Sequence, residues 1–486
     1  MKTFQKISVV LATCLSVVLF ASCEKPVTQI ITDEEQILFG PDSTQIGDGT
    51  KEFSIKKSHT IKKGVYTMVG WIYVEEGATL TIEAGTIIKC SDESFNGRTA
   101  KGTSLIVMRG AKIMAQGTAQ EPIVFTSAKP AGERKAADWG GIILCGKAKN
   151  NTGGMTVEGG VFANHGGSDD NDNSGVLQYV RIEFGGYPYA VDNEINGLTL
   201  GSVGKGTTID HVQVSYSGDD SYEWFGGVVN AKHLIAYRGW DDDFDTDNGF
   251  SGKLQFLLAV RDPKIADQSN SNSFESDNNS SGSTSEPYTQ AVFSNVTIIG
   301  AIGQDPNFVN STSYITGFDW GASSGIRTGI FQAAMQIRRN SRLNCFNSVA
   351  TGYPIGLMLS NDGRGNTQEA AEQGLLKLKN LYFAGMDLLG ADADKKDPTQ
   401  WSGDISINYF NKSDLNNHSY ANISDLHLNA KYAPTAGSPL LNGADFTDAF
   451  LNDSFFTQVT YAGAFADEND NWANGWTNFD PQNTEY

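Results

Sequence analysis

The chain has 486 residues, with 36 Lys and Arg against 56 Asp and Glu, a formal charge of −20, and 53 glycines. So acidic a balance excludes nucleic acid as a partner and a bare anionic lipid surface as a docking face. Length alone allows two or three domains, but abundant glycine, many short β-branched runs and few helix-period stretches describe one repetitive all-β unit.

The amino-terminal residues read as a targeting segment. Lys2 and Lys6 make a short positive region, residues 7–19 are apolar but too short for a membrane span, and the small Ala21 and Ser22 precede Cys23. Phe20-Ala21-Ser22-Cys23 resembles a bacterial lipobox, with Phe20 where the pattern carries Leu; the resemblance implies that Cys23 is lipidated and becomes the mature amino terminus. Residues 1–22 are therefore expected to be a lipoprotein signal peptide and 23–40 a tether, giving an exported outer-membrane lipoprotein facing the cell surface. Removing residues 1–22 takes away two lysines and no acid, so the charge moves from −20 to −22. Cys90, Cys145 and Cys345 remain in the body. This odd, widely spaced set is neither a disulfide framework nor a zinc site, and it reads as buried thiols.

From residue 64 onward short apolar and polar segments alternate, beginning with Trp71-Ile72-Tyr73-Val74 and a turn at Gly77. Further along, Val180, Val212, Leu234 and Phe256 are expected to share one inward column, and Ile182, Val214, Ala236 and Leu258 the next. Arg181, Gln213 and Ile235 then face outward. Residues 211–249 contain one coil written twice. Asp219-Asp220-Ser221-Tyr222-Glu223-Trp224-Phe225-Gly226-Gly227 reappears 22 positions on as Asp241-Asp242-Asp243-Phe244-Asp245-Thr246-Asp247-Asn248-Gly249. Ser273-Phe274-Glu275-Ser276-Asp277-Asn278 is a third copy. A fixed period of β-rich segments separated by turn residues is the signature of a solenoid, in which like residues lie above like. The predicted fold is a right-handed parallel β-helix over residues 41–443, with long loop insertions at 262–290 and 301–335. Residues 368–379 read as a short helix. The aromatic-rich residues 444–486 break the rhythm and are expected to cap the open end of the solenoid.

Gly77-Ala78-Thr79-Leu80-Thr81-Ile82-Glu83-Ala84-Gly85-Thr86, Asp138-Trp139-Gly140-Gly141, the acidic run at 241–249 and Trp476-Thr477-Asn478-Phe479-Asp480-Pro481 carry a family resemblance. Together they resemble the exported β-helix lipoproteins of Bacteroidota and, more distantly, the pectate-lyase-like superfamily. The resemblance implies the fold and export, and no particular activity.

The repeat places chemistry on one face. With Tyr222, Phe244 and Phe274 inward, Glu223, Asp245 and Glu275 point outward, and Asp247 and Asp277 follow two residues on. Unit charges about 4.8 Å apart repel by about 3 kcal/mol at an effective dielectric of about 20. A hard cation such as Ca²⁺ held by Glu223, Asp245, Asp247, Glu275 and Asp277 would offset this, as would ion pairing with Arg238 and Arg261, or plain solvation. Trp224, Trp240, Tyr288, Tyr314 and Trp320 lie in or near the insertions. With Arg238 and Arg261 they are expected to bind an extended ligand, most plausibly a glycan. Gly218-Asp219-Asp220 and Asp245-Thr246-Asp247 resemble polygalacturonase elements in inverted order, and Ile209-Asp210-His211 resembles a pectate-lyase segment. A polysaccharide lyase or glycoside hydrolase is thus one rival reading. A structural or adhesive protein, or an accessory to an outer-membrane transporter, is another. The acidic loop at 168–175 lacks an EF-hand glutamate and reads as a turn.

Overall fold

The computed structural model describes residues 44–91, 102–190, 193–317, 327–361 and 363–486. Cys23, the expected tether and Trp320 lie outside them. Among the described residues, two long parallel sheets follow the chain from coil to coil. One has fifteen strands and one has eleven, and neighbouring strands in each are successive turns of the chain. This is a parallel β-helix. Backbone groups are satisfied by the coils on either side, while apolar columns fill the space between the sheets.

Five strands of the eleven-stranded sheet position the acidic face. They are β1 (Leu198–Val203), β2 (Tyr222–Gly227), β3 (Phe244–Asp247), β4 (Phe274–Ser276) and β5 (Ala333–Ile337). Leu198, Tyr222, Phe244, Phe274 and Met335 pair in register as one inward column. Ring centroids lie 5.7 Å apart for Tyr222–Phe244 and 5.4 Å for Phe244–Phe274. Each such pair contributes about 0.5–1.5 kcal/mol beyond its buried area.

In the larger sheet Val180, Val212 and Leu234 pair as expected, but the next member of the column is Leu257, and Ala259 rather than Leu258 follows Ala236. The coil from Leu234 to Leu257 is one residue longer than its predecessor, so Phe256 falls opposite His233 instead. Tyr179, His211, His233, Phe256, Asn295, Asn347 and Asn380 all have positive φ between 50° and 63°. They form a left-handed corner at which each coil bends. The rings stack at 4.4, 4.2 and 5.4 Å along Tyr179–His211–His233–Phe256, and the asparagines continue the column.

The carboxyl-terminal segment does not cap the end of the solenoid. It runs back along the flank as a strap, meeting ever earlier coils. Asn347, Gln255 and Gln213 each hold one strap residue at two points. Their amide oxygens accept from the N–H groups of Asp445, Thr457 and Asn478 at 2.8–2.9 Å, and their amide nitrogens donate to the same residues' carbonyls. At the far end the Tyr486 hydroxyl donates to Glu183, 2.8 Å away, and Lys89 donates to the Tyr486 carbonyl at 2.7 Å. Arg181, Gln213 and Ile235, read as outward-facing, are buried beneath the strap. The reason is chemical: the flank offers a row of amide and aromatic groups that an irregular backbone can satisfy. The last strand of the eleven-stranded sheet, Leu388–Ala391, is covered instead by the short helix Asp404–Phe410, whose Ser406 hydroxyl donates to the Ala391 carbonyl at 2.6 Å. The predicted helix begins at Thr367 and is confined to Thr367–Glu372. All three body cysteines are free and buried.

Candidate functional site

Strand register assembles the acidic column. Glu223 lies opposite Asp245, and Asp245 opposite Glu275. The column ends in neutral polar residues, Thr199 before it and Gln336 after it. The turn preceding each strand adds a second column. Asp220 Oδ1 accepts from the Asp242 N–H at 2.8 Å, and Asp242 Oδ1 accepts from the Asn272 N–H at 2.5 Å. Three interlocking sets result: Asp219, Asp220 and Asp241; Asp220, Glu223 and Asp245; Asp242, Asp245 and Glu275. In each set one ligand atom per residue lies within 4.8 Å of the others.

Two further residues complete the site. Gly226 and Gly227 have φ of +71° and +84°, and a Cβ on Gly226 would come within 2.5 Å of Asn150. Their lack of side chains lets the loop after Ala148 fold across the end of β2, where the Lys149 carbonyl accepts from the Gly227 N–H at 2.8 Å. This loop delivers Glu158, which hydrogen-bonds Glu223 and Asn196. Asn196 is fully buried; its amide nitrogen bonds Glu223, and its Oδ1 has no hydrogen-bond partner. Asp245 Oδ1 and Asp241 Oδ1 are likewise buried without one.

The electrostatics follow from this crowding. Burial raises the Glu223 carboxyl well above its ordinary range, and Glu158, Asp245 and Asp220 push it further. Asp245 is raised by burial and then by Asp220 and Glu275. Burial lifts Glu158 to about 7, and burial together with Asp277 lifts Asp247 to about 8. A hard cation would reverse this by supplying the missing opposite charge.

The sequence-predicted residues divide. Glu223 and Asp245 stand in the arginine-poor part of the face. Glu275 and Asp277 are instead closed by Arg338, whose Nε donates to Asp277 at 2.9 Å and whose Nη2 bonds Glu275, with Nη1 on Asp394 at 2.9 Å. Arg339 also bonds Asp277. Asp247 accepts from the backbone and side chain of Asn248 at 2.6 and 2.9 Å.

The expected arginines do not serve the column. Arg261 is fully buried and paired with Asp243 at 3.0 Å, and Arg238 sits at a corner with Asp262 and Tyr216. Nor do Trp224 and Trp240 form a surface platform. Trp224 shares the inward face of β2 with Tyr222 and stacks on Phe250 at 5.4 Å. Trp240 is 1% exposed and donates to Asp267 at 2.6 Å beneath the folded insertion. Tyr288 lies half-buried under the Arg342 guanidinium, 3.4 Å from its ring centre, and Tyr314 packs on Lys264.

Two of the missed partners were readable. Asn196 occupies the turn position of Asp220 and Asp242 one coil earlier. Ser276 pairs with Ile337, so Arg338 stands one coil beyond Asp277. Glu158 lies in an aperiodic loop and left no such signal. Beside the acidic column an open groove of about 520 Å³ is lined by Glu158, Phe225, Asp247, Asn248, Asn279 and Ser281.

A family model for a pectate-lyase like beta helix domain matches residues 53–477. No curated protein and no solved structure matches the chain.

Proposed function

Since the chain belongs to the pectate-lyase like beta helix family, we propose that it is a carbohydrate-binding β-helix protein that holds calcium among Asp220, Glu223 and Asp245. One observation carries the cation: carboxylates lie within 4.8 Å of one another, and Asp245 among them and Asn196 beside them keep buried oxygens without partners. Oxygen-only donors suit a hard ion that takes six to eight ligands, and nothing in the set favours a thiophilic metal. Carboxylates and an amide carbonyl would hold the ion, which would supply positive charge for a sugar hydroxyl or carboxylate. The adjoining groove, with amide and hydroxyl side chains around Phe225, supports a saccharide as the second ligand. Melting curves in chelator and in about 1–5 mM calcium test the cation, because binding to the folded form alone raises the melting temperature. Superimposable curves would sink it. A glycan array tests the second ligand.

A catalytic reading has its own support. Asp219 and Asp220 adjoin the cluster that includes Asp245, and Glu158 and Asp247 line the groove beside it. Paired carboxyls of this kind serve acid–base cleavage of glycosidic bonds. Release of shortened or ultraviolet-absorbing unsaturated products from a polysaccharide panel would replace the binding reading. We also propose anchoring through Cys23 to the outer membrane. Cys23→Ala should move the protein from the membrane fraction to the soluble one, and unchanged retention would remove the anchor.

A further inference from the structure

Far from the acidic face, strands Thr208–Ser215 and Ala231–Tyr237 bring two imidazoles and a carboxylate together under the strap. His211 and His233 occupy the left-handed corner, each with φ of 54°, and their rings stack with centroids 4.2 Å apart. Their Nδ1 atoms lie 2.9 and 2.7 Å from the same oxygen, Asp210 Oδ1. Stacking at this corner requires only a flat ring, as Tyr179 and Phe256 show on either side. It requires neither imidazoles nor a shared carboxylate. The register partners of Asp210 on the neighbouring coils are Gln178 and Lys232, so the carboxylate is peculiar to this coil. The three side chains are 12%, 21% and 29% exposed for His211, His233 and Asp210, so solvent reaches the cluster.

We propose that Asp210, His211 and His233 bind a divalent transition ion of the Cu²⁺, Ni²⁺ or Zn²⁺ class, independently of the hard-cation pocket. Imidazole nitrogen with one carboxylate oxygen selects these ions over calcium. The three donor atoms already lie within 4.8 Å of one another. Zn²⁺ bound at about 2.0–2.1 Å in tetrahedral geometry needs donors about 3.3 Å apart, so each imidazole withdraws by about half an ångström and carries its proton on Nε2. Water completes the coordination on the exposed side. Trp472 lies 5.2 Å from His233 and Trp476 lies 5.5 Å from His211, so a paramagnetic ion here quenches their fluorescence.

The test is a Cu²⁺ titration of the chain lacking residues 1–22, in excess calcium, followed by tryptophan fluorescence and electron paramagnetic resonance. The expected spectrum carries superhyperfine coupling from two nitrogens. The expected affinity falls at least about tenfold in His233→Gln and in Asp210→Asn. An oxygen-only spectrum of the wild-type chain overturns the site, and needs no variant to fold. So does an unchanged affinity in folded His233→Gln and Asp210→Asn.

Discussion

On the flank, Asn347, Asn380 and Asn416 stack with the coil period, and each amide donates to its predecessor's oxygen at 2.8 Å. On the eleven-stranded sheet, Glu223, Asp245 and Glu275 stack with the same period and offer no donor. An amide is donor and acceptor at once, so each added coil adds a bond. An ionised carboxylate only accepts, so each added coil adds repulsion of about 3 kcal/mol at an effective dielectric of about 20. The amide column bonds within itself and has amide groups left for the strap. The carboxylate column needs something from outside, which it finds on one side in Arg338 and on the other, by our reading, in a cation.

The comparison breaks most forcefully if a carboxylate is moved into the amide column. Asn380 donates to Asn347 and to the Gly443 carbonyl. Asn380→Asp sets a buried charge against both acceptors and should cost about 3–5 kcal/mol in urea unfolding. A loss below about 1 kcal/mol would mean that the ladder contributes little. The reverse exchange has the opposite sign and a smaller size. Asp245→Asn should stabilise the chelated protein by about 1–2 kcal/mol and abolish the calcium-dependent rise in melting temperature. Destabilisation in chelator would contradict the repulsion. A third test is the pH profile. Glu158 at about 7 and Asp247 at about 8 bind protons more tightly folded than unfolded. Stability in chelator should therefore fall as pH rises from about 4, where unfolded carboxyls titrate, to about 8. Calcium should flatten this slope. A chelated protein that grows more stable over that range would refute the raised values.

The sequence already contained the columns of β2, β3 and β4, because two consecutive strands shared one period and one turn motif. It also implied that Trp224 points inward, two residues from Tyr222. Trp240 was illegible because a distant insertion buries it. The slip at Phe256 came from a single extra residue in one coil, which local pattern cannot reveal when both Phe256 and Leu257 are apolar. Arginine partners were sought by nearness in sequence, whereas a solenoid sets neighbours by coil, so Arg338 was reached only through register. The strap has no period of its own, and its route depends on amides presented by separate coils, at Gln213, Gln255, Asn295, Asn347 and Asn380.

That route changes how the molecule comes apart. A bare stack of coils interacts only with nearest neighbours and can fray one turn at a time. Here one continuous segment grips Asn347, Gln255, Gln213 and Glu183 in reverse order. Loosening any coil then releases contacts made by coils far away, so the stack melts as one cooperative unit instead of as a series of local openings.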